Sequence, residues 1–326
     1  MRRREFIEIF GSAVAWPLAA RAQQADKVFR IGYLSLGAPA AEATRFNAFR
    51  AGRAALGYVE GKNLVIETRW LEGRPYDQLA ELAAQLVELK VDVLVTYATP
   101  GVSAAKRATK NIPIVFATVG DAVAVGIVPS LARPGGNVTG NTYFLPELNS
   151  KRLELLKEAI PGLVRAGVLF NPTNPATEPV LSAMRLTAQS LKMELSEFAA
   201  REATDLEAAF EAMGVKSVGA FVIAEDPMLI YNTEASAKLA LKYRLAGCSF
   251  AEFAQAGGYI AYGIDFPDMW HHAATFVDKI LKGAKPAELP VEQATKFVMI
   301  ANLKTARAIG LELPTSVLLR ADEVIE

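Results

Sequence analysis

The sequence predicts an α/β architecture of two lobes, each built on a parallel central sheet, and three observations carry that prediction. Short apolar, β-branched runs alternate with amphipathic helical stretches along nearly the whole chain, as β-α-β units require. The alternation breaks off and restarts near residue 150, as two successive sheets would make it do. The 326 residues are also enough for two cores, at a prior of roughly 150 residues per domain.

In chain order, the first segment is not part of either lobe. RRREFIEIFGSAVAWPLAARAQQ places basic residues ahead of an apolar run from about Ile7 to Leu18, followed by Ala20-Arg21-Ala22. That is the pattern of a cleavable export signal, 1–22, with cleavage expected after about Ala22. The apolar run is too short to span a bilayer, which needs about 20 residues. Arg3-Arg4-Glu5-Phe6-Ile7 resembles the twin-arginine address of a bacterial pathway that exports folded proteins.

VFRIGYLS then reads as a buried strand, and EATRFNAFRAGRAAL as a helix with Phe46, Phe49 and Leu56 on one face, stopped at Gly57. NLVIETRW is a second strand, followed by a helix with Leu79, Leu82, Ala83 and Leu86 in phase. VDVLVTYA and IPIVFA are strands three and four, with helices expected at 102–110 and 122–132 and a short strand after Gly135-Gly136. The second series runs from a helix at 150–159 through RAGVLF, a helix to Leu191, MELSEF, a helix at 205–213 and SVGAFVIA. A helix at 235–245 leads to short strands at 248–250 and 258–262. The last stretch holds a helix at 268–281, a strand at 296–301 and a helix at 303–309. The halves repeat element order without repeating sequence.

Charge and rare residues narrow the function. Without the leader, which carries Arg2, Arg3, Arg4 and Arg21 against Glu5 and Glu8, the chain keeps 31 basic and 33 acidic residues. No basic stripe suits a phosphate backbone, so nucleic acid is not an expected partner. No later run of 18 apolar residues predicts membrane insertion of the mature chain. Cys248 stands alone and cannot form an internal disulfide, so the cores must be stable unaided. His271 and His272 are the only histidines, and as helix neighbours they diverge by about 100°, which disfavours a shared metal and leaves little for histidine-based catalysis. With no G-x-G-x-x-G after the first strand and no phosphate-binding loop motif, no cofactor is expected.

Parallel sheets bind ligands at the carboxyl ends of their strands. Those ends read LSLGAP, TYATPG, TVGD, FNPTNPA and IAEDPM, each joining small or polar groups to Pro or Gly. Such residues also simply end strands and start helices, and Ser35 and Asp226 both suit helix caps. We expect the ligand to meet Ser35, Tyr97, Thr99, Asp121, Asn171, Asp226 and Tyr262. Aromatics at or beyond strand ends, among them Tyr97, Phe116, Tyr143, Phe144 and Phe250, suit a ligand with an apolar or aromatic part.

IGYLSLGAP, SLARPGGNVTG, GVLFNPTNPA, KPAELPVEQATKF, NLKTARAIGLELP and the closing LLRADEVIE together resemble the ABC-transporter solute-binding proteins of the tryptophan-binding-like family, over essentially the whole chain. The chain departs from the family pattern at Asp121-Ala122, where Asp-Pro is common, and at Cys248-Ser249-Phe250, where Leu-Pro-Ala is frequent. The resemblance implies the type I periplasmic-binding fold: two Rossmann-like lobes with parallel central sheets joined by three hinge crossings. It implies lobe one at 28–141 plus 263–287 and lobe two at 142–262 plus 288–326, with crossings in GNTYFLPE, AYGIDFP and AELPVEQ. It further implies a periplasmic monomer that delivers a small carboxylate-bearing solute, aromatic or amino acid, to a membrane permease. The competing reading is an exported α/β enzyme, an isomerase or hydrolase, using Cys248 or the Glu225-Asp226 pair.

Overall fold

The computed structural model describes residues 27–326, so the leader and its cleavage position lie outside the described residues. The first series builds β1 (Phe29–Ser35), α1 (Pro39–Ala55), β2 (Leu64–Trp70), α2 (Leu79–Glu88), β3 (Val93–Thr96), α3 (Ala98–Ala108), β4 (Ile114–Gly120) and β5 (Val138–Tyr143). The second builds α4 (Leu145–Ala159), β6 (Arg165–Phe170), α5 (Thr177–Ser190), β7 (Glu194–Ala199), α6 (Leu206–Val215) and β8 (Ala220–Ile223). It continues through α7 (Pro227–Tyr231), α8 (Thr233–Lys242), β9 (Ala246–Ser249), α9 (Ala251–Gln255) and β10 (Ile260–Ile264). Last come α10 (Phe266–Leu281), β11 (Glu292–Gln293), β12 (Phe297–Asn302), α11 (Leu303–Ile309), α12 (Thr315–Leu318) and β13 (Glu323–Ile325).

The two-lobed α/β expectation holds. The strands form two sheets, ordered β11-β5-β4-β3-β1-β2 and β13-β12-β10-β9-β8-β6-β7. All pairs are parallel except β10 with β12. Each sheet contains the same order, second-first-third-fourth-fifth strand, so each reverses direction of growth at one point: between β1 and β3, and between β6 and β8. Continuous apolar runs explain why both sheets are central: Val93, Leu94 and Val95 and, in the other sheet, Ala220 to Ile223 are all fully buried.

The chain passes between sheets three times: from β5 to α4, from β10 to α10, and from β11 to β12. β5 runs in the first sheet to Tyr143, β10 in the second to Ile264, and the last passage is 294–296. β5 and β10 thus end two residues past the expected boundaries at 141 and 262, within GNTYFLPE and AYGIDFP, and β11 ends six residues past 287, so that the third passage begins just after AELPVEQ. Pairing with neighbouring strands carries each strand on past the breaks in the sequence pattern.

The expected helix at 122–132 does not form; that stretch is turns. Gly126 takes φ +69°, Pro129 removes a backbone donor, and the Ala122 carbonyl accepts from both Ile127 and Val128 N–H, closing a loop instead of a helical ladder. In α1 the buried face is Glu42, Arg45, Phe49 and Gly52, whereas Phe46 is half-buried and Leu56 exposed. The α2 stripe of Leu79, Leu82, Ala83 and Leu86 is buried as the periodicity requires. No helix among the described residues is long and apolar enough to cross a membrane.

Candidate functional site

The reversal points of the two sheets face one another, and the loops that leave β3, β6 and β8, with the ends of β4 and β5, converge on a cavity between them. Arg45, Tyr97, Thr99, Thr118, Tyr143, Asn174, Glu225, Asp226, Tyr231, Phe266 and Trp270 are among its walls. The space open to water centres is about 40 Å³. Five aromatic rings, against few polar groups, make it a pocket for an apolar body with specific polar ends.

The wall from the first sheet is organised by the Tyr97 hydroxyl. It accepts from Leu36 N–H (2.8 Å) and Gly37 N–H (3.1 Å), lies 3.2 Å from Ser35 Oγ, and donates to Glu42 Oε2 (3.1 Å). Glu42 is buried and also accepts from Tyr33 (3.0 Å), whose oxygen accepts from Trp270 Nε1 (2.8 Å). Burial pushes the Glu42 carboxyl up, against the pull of Arg45 and of the tyrosine hydroxyls. Beside this network α3 begins at Ala98 with no side-chain cap, so the first N–H groups of an 11-residue helix are left for another acceptor. Ala98 itself sits at φ +54°, a strained conformation for a residue with a side chain. Thr118 Oγ1, at the end of β4, is buried and has no partner.

The opposite wall is built around Asp226, the cap of α7. Its Oδ1 accepts from Met228 N–H (2.9 Å), Asn171 Nδ2 (3.0 Å) and Tyr76 OH (2.9 Å), and its Oδ2 from Tyr76 OH (2.9 Å) and Asn174 Nδ2 (3.0 Å). No lysine or arginine among the described residues pairs with it, and burial pushes its carboxyl above the ordinary range in spite of those hydrogen bonds. Neighbouring Glu225 is different. Fully buried Arg152 meets it at 2.5 Å and Asn149 donates to its other oxygen at 3.1 Å, while Arg152 Nε binds the Tyr262 carbonyl at 2.8 Å. Adjacent in sequence, the two carboxylates have separate partners, and only Asp226 keeps an unbalanced charge.

Three contacts join the halves across the cleft. Tyr76 binds Asp226; Tyr231, from α7, binds Tyr97 OH at 2.6 Å and also Glu42; and Arg45 binds Glu252 of α9 at 2.5 Å. Gly37 permits the second: a Cβ there would lie 2.6 Å from Tyr231 Cζ. The cleft is closed.

Of the residues expected to meet a ligand, the structure brings Tyr97, Thr99 and Asp226 together on the cavity. Ser35 and Asn171 stand behind it, holding Tyr97 and Asp226. Asp121 and Tyr262 do not join it. Asp121, at φ +57°, accepts from Ala124 N–H in the loop after β4, and Tyr262 stacks on Phe297 with centroids 6.1 Å apart. Strand termini alone suggested them; the end of β4 does reach the cavity through Thr118 to Gly120, but Asp121 comes after it and turns into its own loop, and Tyr262 lies within β10, next to the antiparallel β12. Tyr143 lines the cavity, whereas Phe116 and Phe250 are core and Phe144 is exposed. Sequence reading missed Glu42, Arg45, Tyr231 and Trp270. The one signal for the first two was a charged pair in helical phase with Phe49 on a buried face. Cys248 is buried in the second core, and burial pushes its thiol up to about 12, far from a working nucleophile.

Residues 37–325 match the family described as ABC transporter substrate binding protein. The chain is 26% identical over 258 residues to the tyrosine-binding protein of Clostridioides difficile (strain R20291), a match covering 78% of this chain and 73% of that protein. Among solved structures it resembles a conserved domain protein from Vibrio cholerae, with TM-score 0.85, 29% identity, and 91% and 100% of the two chains covered. It also resembles an ABC domain from Streptococcus pneumoniae solved in complex with L-Trp, with TM-score 0.82, 26% identity, and coverage of 90% and 100%.

Proposed function

From the premise that this chain belongs to the ABC transporter substrate-binding protein family, we propose that it captures an aromatic amino acid between its lobes and presents it to a membrane permease. The observation that carries the ligand class is the polarity of the cavity. Asp226 offers a buried, uncompensated negative charge to an ammonium, while the uncapped start of α3, with Thr99 and the unpartnered Thr118 hydroxyl, offers donors to a carboxylate. Aromatic rings between the two enclose the side chain. The tyrosine-binding relative and the neighbour holding L-Trp support this class of ligand.

Catalysis is not part of the proposal: Glu225 is tied to Arg152, Cys248 is held protonated, and neither histidine lines the cavity. The leader directs the chain to the periplasm, where it acts as a monomer after cleavage near Ala22. The two lobes then open and close by rotation at the three passages between sheets. A thermal-shift screen of amino acids and aromatic acids, followed by mass spectrometry of co-purified ligand, tests the reading. Ligand at 100 Kd stabilises by about 2.7 kcal/mol. Stabilisation only by sugars or metal ions, or conversion of the ligand to a product, overturns it.

A further inference from the structure

We infer that Arg45 makes this cleft select aromatic amino acids whose ring carries an oxygen acceptor, a phenol above all; the inference rests on the ligand class proposed above. Arg45 projects from α1 into the cavity wall with its side chain only 6% accessible. Its guanidinium is held from several sides. One terminal nitrogen binds Glu252 at 2.5 Å, and the plane lies 4.7 Å from the Phe266 ring centroid, 5.7 Å from Trp270 and 5.8 Å from Tyr231. So fixed, it cannot swing to find another acceptor, and its Nε–H is buried with no partner.

Among the described residues five buried side-chain polar atoms lack partners, and two of them, Arg45 Nε and Thr118 Oγ1, belong to residues that line this cavity, Arg45 also bordering the outer groove beside Glu252. Buried donors left unmet are unfavourable, so their coincidence at one cavity points to groups that a ligand brings. Thr118 can donate or accept and therefore discriminates little. Arg45 Nε only donates. A phenol oxygen satisfies it; a phenyl ring brings no acceptor, and an indole N–H brings a second donor. The aromatic faces around Arg45 would pack any of the three rings, so the difference between them falls on this one hydrogen.

Calorimetry with L-tyrosine, L-phenylalanine and L-tryptophan on the wild-type chain and on Arg45→Lys tests this. Lysine keeps the charge opposite Glu252 but has no donor at the Nε position. Wild type is expected to bind L-tyrosine about tenfold or more tighter than the other two, and Arg45→Lys to bring L-tyrosine within about threefold of L-phenylalanine. Retained L-phenylalanine binding by the variant shows that its cleft still forms. Near-equal wild-type affinities for L-tyrosine and L-phenylalanine overturn the inference while leaving the ligand class intact, and need no variant. An undiminished preference in Arg45→Lys overturns it as well. If none of the three amino acids binds, the ligand class itself falls and takes the inference with it.

Discussion

Replacing Gly37 by alanine should wedge the cleft without harming either lobe. Gly37 has no positive φ, so alanine adopts its backbone conformation freely. In the closed form, however, the new methyl would stand 2.6, 2.8 and 3.0 Å from Cζ, Cε2 and Cε1 of Tyr231. Ordinary carbon contact begins near 3.4 Å, so the ring must retreat by about 0.8 Å. That retreat pulls its hydroxyl from Tyr97, now 2.6 Å away, and from Glu42. Overpacking of this kind costs about 1–3 kcal/mol. Since the penalty falls on the closed form, affinity should drop about 5- to 140-fold. In the open form alanine is neutral or slightly stabilising, by up to about 1 kcal/mol, through the unfolded chain. Calorimetry for a verified ligand, with the melting temperature of the free protein alongside, measures both effects. Combining Gly37→Ala with Tyr231→Ala should add little beyond Tyr231→Ala alone, because the ring that the methyl strikes is gone. Wild-type affinity in Gly37→Ala would refute the reasoning, and so would fully additive losses in the pair.

Asp226→Asn keeps a cap for α7 but removes the charge, so it should weaken an amino-acid ligand about tenfold or more with little change in the melting temperature of the free protein, as read by calorimetry and thermal shift. Acidity should act through the same carboxyl. Its pKa in the free folded protein is raised above 3.8, so ammonium binding, which favours the ionised form, should fade as pH drops through that raised value. The free protein should by the same linkage gain stability on acidification from there toward 3.8; Glu42, also raised, contributes in a window above 4.5, and Asp226→Asn separates the two in a pH series of melts. Arg152→Met, which strands buried Glu225, should cost about 3–5 kcal/mol in denaturant unfolding, with Arg152→Met combined with Glu225→Gln recovering much of it.

Pattern alone located the sheets, because fully buried parallel strands such as VLVT and AFVI read as apolar runs whatever their neighbours are. Pattern also placed Tyr97, Thr99 and Asp226, since strand ends beside a reversal point are where loops from two sheets can meet. It could not rank strand ends, because strand order and loop geometry are set by the rest of the chain: β4 reaches the cavity with Thr118, but Asp121 just past its end turns at φ +57° to hold Ala124 N–H, and Tyr262 lies on β10 beside the antiparallel β12. Glu42 and Arg45 were hidden for another reason. Charged residues on a helix are ordinarily solvated, and this face is made interior by groups far along the chain, Tyr231, 189 positions later than Glu42, and Phe266 and Trp270 of α10 against Arg45.

Three passages between sheets also govern the order in which this chain can become a folded body on the ribosome. The first sheet has its five main strands once Tyr143 is made, but α10, which packs on α1 and covers it, ends at Leu281. At about 5–20 residues per second that leaves the sheet without its cover for roughly 7–28 s. The second sheet waits longer, since β12 and β13 come from the last thirty residues. Neither lobe can therefore be finished, or released by a simple truncation, before synthesis of the whole chain is nearly over. A nascent chain of this kind is a natural client for chaperones, and cutting it at either early passage should give two insoluble pieces in place of two half-receptors.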